Sequence, residues 1–489
     1  MKDFNTYLKE IGEVGYVESI ITSVFYVNGL PGAKLNELIL AENGQIGIVQ
    51  GILPELIEVM LFQGEGLTHN MKVARTNEIF EMPVSEDYLG RIISPFGTVL
   101  DDQGPIKGTF VNYPIDPKAP GINARSRVNT PMETGLMAVD MQVPIGKGQR
   151  ELILGDQKTG KTTFAIQAIA NQVRAGAVCV YVSIGKKKSD LKFVQKSLQE
   201  MDVLKSTVII SASASDQAPL IYLSPFAGLS VAEFFRDRGQ EVLVVFDDLT
   251  THAKFYRETS LISRRTPGRQ SYPGDIFHLH ARLVERAGNI KLQNGKVVAI
   301  TLLPIAETLE GDLAGYIQTN LMAMTDGHVF FDIAEAKKGR HPAVSFTLSV
   351  SRVGNQTKTP LERELTGLIT EKLTAYRKAE EVSRFGVELT TQTLQALDSG
   401  EKLIALFDQE SQIVIPKPLQ LVYLGLFFGG AWNRKTSKEV RVEKIRLFGE
   451  YLTGRFGNLP VEAKLSNSLK ELVTRVTSFF KIPEAAKAK

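Results

Sequence analysis

The stretch Gly155-Asp156-Gln157-Lys158-Thr159-Gly160-Lys161-Thr162 fits the pattern G-x-x-x-x-G-K-[ST] in full. The apolar run 152–154 precedes it, and a helix-compatible run, 163–173, starts at Thr163 directly after it. Strand, glycine-rich turn and helix, in that order, is the context in which this pattern means phosphate binding. The glycines let successive backbone N–H groups turn inward on phosphate oxygens, and the helix N-terminus adds a positive field. Lys161 can reach the outer phosphates as a flexible point charge, and the Thr162 hydroxyl suits Mg²⁺.

A metal-side carboxylate is expected to accompany such a loop. Residues 242–246 form an apolar run that ends in Asp247-Asp248. A buried strand there would carry Asp247 to the phosphate loop to hold Mg²⁺ through water, with Asp248 orienting its neighbours; a plain helix cap is the competing reading. Hydrolysis further requires a group that activates water. The strand predicted over 178–184 runs into Gly185-Lys186-Lys187-Lys188, and lysines of ordinary pKa do not activate water at neutral pH. Asp190, Glu233 and Glu258 have no distinguishing context. Arg352, in Ser349-Val350-Ser351-Arg352-Val353-Gly354, ends a strand before a glycine turn, where its donor fork suits phosphate or carboxylate; a surface ion pair is the bland alternative. Arg264-Arg265, Pro267-Gly268-Arg269 and Tyr272-Pro273-Gly274-Asp275 make a constrained polar loop suited to contact. His278 and His280 sit two apart with no cysteine near, a poor metal signature.

The elements that must position these groups fall into distinct stretches. The 489 residues exceed one ordinary core, and 43% hydrophobic with 23% charged residues is a globular composition. The net charge of +3 supports no nucleic-acid partner. The single cysteine, Cys179, lies in an apolar stretch and reads as core in a reducing compartment. No run reaches the length of a membrane span, and the apolar segment 419–431 reads as a buried helix or a contact face. Short β-prone runs fill residues 1–85, with a hairpin signal at Asn43-Gly44, and predict a small β-barrel. From 86 to 148 prolines and glycines predict a connecting segment. Between 149 and 355, apolar strands at 152–154, 178–184, 207–210, 242–246 and 297–303 alternate with helical patterns, as in a parallel sheet covered on both faces. Beyond 360, helical periodicity takes over at 361–383, 392–407, 419–428, 438–452 and 461–480, and 485–489 reads as a frayed tail.

These motifs in this order resemble the α subunit of F-type ATP synthases. The likeness runs from about residue 12 into the C-terminal region. Glu133-Thr134-Gly135, Ala138-Val139-Asp140 and Pro144-Ile145-Gly146-Lys147-Gly148-Gln149-Arg150-Glu151-Leu152 resemble that family's approach to its phosphate loop. The loop has Asp second, as α subunits do. Asp247-Asp248-Leu249, Tyr272-Pro273-Gly274-Asp275, Thr325-Asp326-Gly327 and Ser351-Arg352-Val353-Gly354 also match.

The resemblance implies a multidomain protein. It would comprise an N-terminal β-barrel (1–85), a linker with a RecA-like α/β P-loop domain of mostly parallel sheet (86–355), and a C-terminal helical domain (356–489). It implies an alternating α3β3 ring with catalytic β-type subunits around a γ-type central shaft, with a peripheral stalk and with membrane attachment only through the complex, at the cytoplasmic face if bacterial. ATP and Mg²⁺ are the implied cofactors, held by residues 155–163 with Asp247 and, on the adenine side, Gln409. Catalytic subunits carry a glutamate after the strand that follows the phosphate-loop helix. Here Lys186 stands at that place, so the implied site is silent, and Arg352 would be lent in trans to the neighbouring catalytic site. The departures are a barrel pattern that begins directly after residues 1–11, Gln270 where α subunits commonly have Glu, a changed adenine side at Glu410-Ser411-Gln412, and an unusually apolar 421–430. Two other readings compete: a self-sufficient homohexameric ATPase, Rho-like or of the secretion type, and a structural ring component with an empty pocket.

Overall fold

The computed structural model describes residues 2–21, 23–62, 66–384 and 389–482, so the tail expected at 485–489 lies outside the described residues. The protein forms two compact units. One comprises Met1–Arg125, Ala177–Ala306 and Ala314–Met324; the other comprises Ser126–Gly176, Glu307–Leu313 and Thr325–Lys489.

The first unit begins with a closed barrel. Its strands run around the wall in the order Val14–Ile21, Val24–Asn28, Ile57–Leu61, Ile46–Ile52, Glu37–Ala41 and Lys72–Ile79. Closure leaves no strand edge for stray pairing, and Val17, Phe25, Ile39, Val49, Val59 and Val73 fill the interior. The Asn43-Gly44 signal is the turn between Glu37–Ala41 and Ile46–Ile52, which pair antiparallel with Leu40 opposite Ile46. Gly44 has φ 88°, the left-handed conformation that such a turn assigns to glycine.

The same unit holds parallel strands in the order Val297–Glu307, Val242–Asp247, Val178–Lys186, Thr207–Ser213 and Ile92–Ile93, with Gly288–Lys291 antiparallel on the first. Helices Lys188–Glu200, Ala218–Asp237, Leu249–Ile262 and Ile276–Glu285 alternate with them. Central strands covered on both faces need no polar alternation, which is why Val242–Asp247 is buried throughout. Helix Ala218–Asp237 is, among the described residues, the one long and apolar enough to cross a membrane, but most of it is buried inside the fold as a core helix.

The second unit holds the strand Glu151–Gly155, parallel to Gly327–Phe331 with Leu152 opposite His328, and Val350–Ser351 antiparallel on the latter. Helix Lys161–Arg174 follows the phosphate loop. The C-terminal helices are Pro360–Arg384, Thr391–Phe407, Lys417–Phe428, Ser437–Leu452, Leu459–Lys464 and Leu469–Phe479. Leu365, Leu406, Leu419, Tyr423, Leu472 and Val476 lie in their shared core. The apolar run near 419 is thus a buried helix and not a contact face. The single helix expected over 461–480 is two, because Ser468 caps a fresh start by accepting a hydrogen bond from Glu471 N. A serine that satisfies the first-turn donors favours a new helix over continuation of the old one.

Candidate nucleotide site

The glycine-rich loop leaves strand Glu151–Gly155 and enters helix Lys161–Arg174 through Gly160, whose φ of 102° requires the left-handed region. Gly160 caps the helix with no side-chain hydrogen bond, and the first turn carries no acidic residue. A helix start of that kind presents its positive end to an anion. A Cβ on Gly155 would run into the backbone oxygen of Phe331, so the strand can turn into the loop only with glycine there. The Lys161 ammonium is buried and folded onto the loop, donating to Gly155 O at 2.8 Å and Asp156 O at 2.6 Å.

Asp156, expected among the ligand-binding residues, does something else with its side chain. Its carboxylate accepts from the Thr308 hydroxyl at 2.5 Å and from Gly311 N at 3.0 Å, which ties the loop to the segment after strand Val297–Glu307. The Thr159 hydroxyl donates to Asp156 O at 2.7 Å, and Gln157 donates to Glu307 at 3.2 Å. Phe331 lies against Phe164 with ring centroids 5.7 Å apart and braces the helix start. Lys158 is exposed with φ 62°, and Thr163 is half-buried in the first helical turn.

Lys158, Thr159, Gly160 and Thr163 line one end of a cavity of about 660 Å³, with His341, Gln409, Glu410 and Arg441 at the other. Gln409 is buried and its amide is committed to the backbone. Nε2 donates to Gly135 O and Ile413 O, each at 2.7 Å, and Oε1 accepts from Met137 N at 3.3 Å. Gln167 holds the same loop by donating to Glu410 O and Ile413 O, each at 3.0 Å. Lys444 Nζ donates to Leu406 O at 2.9 Å and also to Asp408 O, and burial pulls its pKa down to about 8 against the charge of Asp408. No motif points to Gln167, His341, Arg441 or Lys444, which lie far apart in sequence on unrelated elements.

In the other unit, Lys186 Nζ lies 2.7 Å from Asp248 and 3.0 Å from Asp247. Burial alone would lower the lysine's pKa, but the charges of Asp248 and Asp247 outweigh it and hold it above the ordinary value. The amine therefore stays protonated and cannot act as a general base. Asp247 also accepts from the buried Tyr181 hydroxyl at 2.6 Å, a partner no motif announced. Asp248 also caps helix Leu249–Ile262 through Thr251 N at 2.6 Å, so the second aspartate of the pair is both helix cap and partner of Lys186. A hydroxyl and a carboxylate are oxygen donors of the kind Mg²⁺ takes. Lys187 and Lys188 are exposed at the start of helix Lys188–Glu200.

Arg352 follows the short strand Val350–Ser351, whose Ser351 lies opposite Gly327. Its backbone is pinned by Arg352 N donating to Asp326 O at 3.2 Å. Asp326 in turn grips Arg150, through the guanidinium at 2.7 and 2.9 Å and the backbone N at 2.9 Å. Ser351 donates to Pro144 O at 2.6 Å. Behind this junction, Glu151 is fully buried, and desolvation pushes its carboxyl well above the usual range despite a hydrogen bond from Gln149. A fixed base with an exposed side chain that forms no ion pair among the described residues is the geometry of a group aimed outward.

His280 is buried beside His252, Nε2 to Nδ1 at 3.1 Å, and not beside His278. No group of three or more His, Cys, Asp or Glu side chains placed to hold a metal ion occurs among the described residues. Cys179 is buried, and desolvation raises its thiol pKa, as a core residue should show. Asp190 and Glu258 sit on helices Lys188–Glu200 and Leu249–Ile262, while Glu233 is bound to the buried Arg286 at 2.8 Å. In the polar loop, Tyr256 donates to Asp275 at 2.7 Å and Gln270 has φ 52°.

The profile of the ATP synthase alpha/beta family nucleotide-binding domain matches residues 135–351, and that of the C-terminal domain of the ATP synthase alpha/beta chains matches 356–471. The protein called ATP synthase subunit alpha in Mycoplasma genitalium is 38% identical over 487 residues, covering 98% of this protein and 93% of its own length. Its namesake in Clostridium botulinum is 38% identical, covering 92% of this protein and 89% of its own length. That of a Sulfurovum species is also 38% identical, covering 86% and 83%.

Proposed function

This chain belongs to the ATP synthase alpha/beta family as a nucleotide-binding, alpha-type member, and from that premise we propose that it holds MgATP without cleaving it and assists a neighbouring catalytic subunit. The observation that carries the reading is the Lys186 ion pair. Where a catalytic subunit would keep a carboxylate to activate water, this one has a protonated amine bound to Asp247 and Asp248. The phosphate loop is complete, with Lys161 held inside it.

In this reading the backbone of residues 155–163 cradles the triphosphate. Lys161 exchanges its loop carbonyls for phosphate oxygens, and Asp156 acts through its backbone. Thr162 and, through water, Asp247 would hold Mg²⁺, which neutralises phosphate charge when bound. Gln409 serves the base end by fixing the loop around it. Arg352 reaches into the catalytic site of an adjacent β-type subunit, where a guanidinium stabilises the charge that develops on the transferring phosphoryl group. The partners are β-type subunits in an alternating α3β3 ring around a γ-type shaft, at the cytoplasmic face of the cell membrane if bacterial and on the soluble side of an energy-transducing membrane otherwise. The division into barrel (1–85), nucleotide-binding (86–355) and helical (356–489) domains belongs to the same proposal.

The test has two parts. The purified protein should bind ATP with no appreciable turnover; brisk hydrolysis that Lys161→Ala abolishes would make it a self-sufficient ATPase instead. Arg352→Ala should leave ring assembly intact and lower turnover of the assembled ring by roughly 1,000-fold. Near-normal turnover in that variant would remove the arginine from the mechanism.

A further inference from the structure

The base end of the cavity offers polar groups that read a different edge from the one a glutamine amide would read. Gln409 has no donor to spare, since both its amide interactions and its oxygen are committed to Gly135, Ile413 and Met137. Two neighbouring side chains are in the opposite condition. Glu410 and Ser411 line the same cavity, are exposed, and make no side-chain hydrogen bond or ion pair among the described residues. Arg441 completes this end. One of its nitrogens lies 3.0 Å from Asp408, and the side chain is 48% exposed, which leaves donors of its fork facing solvent. The groups available to a base are therefore a carboxylate, a hydroxyl, part of a guanidinium and the exposed imidazole of His341.

A carboxylate accepts and cannot donate. Guanine presents N1–H and N2–H side by side, two donors at the spacing of two carboxylate oxygens, with the O6 acceptor next to them. Adenine presents one donor, N6–H, beside the N1 lone pair. Set against Glu410, guanine makes two charge-assisted hydrogen bonds and offers O6 to Arg441 or Ser411, whereas adenine makes one and turns a lone pair toward a negative charge.

We propose that this pocket takes guanine nucleotides at least as tightly as adenine nucleotides, with Glu410 as the specificity-determining residue and Arg441 as its complement. The inference rests on the nucleotide-binding function proposed for the site and deepens it, since the phosphate end is indifferent to the base.

Calorimetric titration of the purified full-length protein with ATP and with GTP, both with Mg²⁺, tests it. The expected result is a Kd for GTP equal to or below that for ATP, and a shift of about tenfold toward ATP in Glu410→Gln, which keeps the shape but replaces one acceptor by a donor. Arg441→Ala should weaken GTP and leave ATP unchanged. Inorganic triphosphate should bind all three proteins alike, which shows that the phosphate end and the fold are intact. GTP binding weaker than ATP in the unaltered protein, or a ratio that Glu410→Gln does not move, overturns the base assignment and leaves the phosphate site standing. Failure of ATP, GTP and triphosphate alike overturns the nucleotide site itself and the inference with it.

Discussion

The two ends of the cavity are built on different principles. At the phosphate end, contiguous residues make the site from backbone: a strand, a turn whose glycines adopt conformations or approaches closed to other residues, and a helix start. At the base end, residues from Gly135 to Arg441 make it from side chains, several of them amides and amines spent on backbone carbonyls. The first kind of site tolerates almost no change of sequence and is insensitive to what surrounds it. The second can change its chemistry by one exposed residue while its scaffold stays fixed.

If that contrast holds, the largest loss should come from the phosphate end. Lys161→Ala removes the ammonium held inside the loop, and ATP, GTP and triphosphate should all weaken by roughly 100-fold or more in calorimetry, about the worth of a charge-assisted hydrogen bond removed from a closed site. A loss confined to one nucleotide would break the comparison, because it would give the phosphate end a say in the base. Next in size is Gly155→Ala. The added methyl meets the Phe331 backbone oxygen, which belongs to a paired strand and cannot move aside. The cost should be about 3 kcal/mol of stability, read by chemical denaturation, on the scale of overpacking against rigid backbone.

The same contrast explains what the sequence made legible. The phosphate loop, its flanking elements and the parallel strands could be read because backbone constraints and burial on both faces leave a local signature in residue type. Strands extend beyond the predicted runs, as at Thr207–Ser213, because polar residues continue a ladder once pairing has begun. Gln409 is expected on the adenine side from the resemblance alone, and its amide bonds backbone here; an amide facing a base and an amide facing backbone look the same in sequence. Tyr181, Gln167, His341, Arg441 and Lys444 were not legible, because each acts through a partner that only the fold brings near. Asp247 and Asp248 were readable as a pair, and their shared hold on Lys186, with Asp248 capping the helix as well, required the fold to bring the lysine to them.

Gln409→Leu sharpens the comparison from the other side. It strands Met137 N, takes one of two donors from Gly135 O, which keeps Ile415 N, and removes one of the two glutamine clamps on Ile413 O, for a cost of about 2 kcal/mol. Triphosphate affinity should hold, while the ratio of GTP to ATP affinity should fall toward that of an unselective pocket as residues 408–413 loosen. Unchanged base discrimination with the expected loss of stability would mean that the loop keeps its shape without the glutamine.

The smallest effect expected is a pH dependence confined to the base end. Lys444 is buried against Leu406 O and Asp408 O, and desolvation lowers its pKa to about 8 from the ordinary value of 10.5. Between those two values the unfolded state binds a proton that the folded state does not. Stability must therefore rise with pH across that window, by about 1.4 kcal/mol per unit for one such group. Below about pH 8 the lysine is charged in both states and contributes no slope. Lys358, also buried and lowered to about 8 by desolvation and the charge of Lys417, adds a slope of its own. The measurement is thus the difference between the unaltered protein and Lys444→Met, by denaturant titration at about pH 8.5 and about pH 9.5, inside that window. Removing the amine should remove one proton's worth of slope and leave the other. Triphosphate affinity should not follow the Lys444 titration, because the phosphate end owes its shape to backbone. If it did, the two ends would be coupled through the loop at 408–413, and the contrast between a backbone-built and a side-chain-built half would have to give way to a single cooperative site.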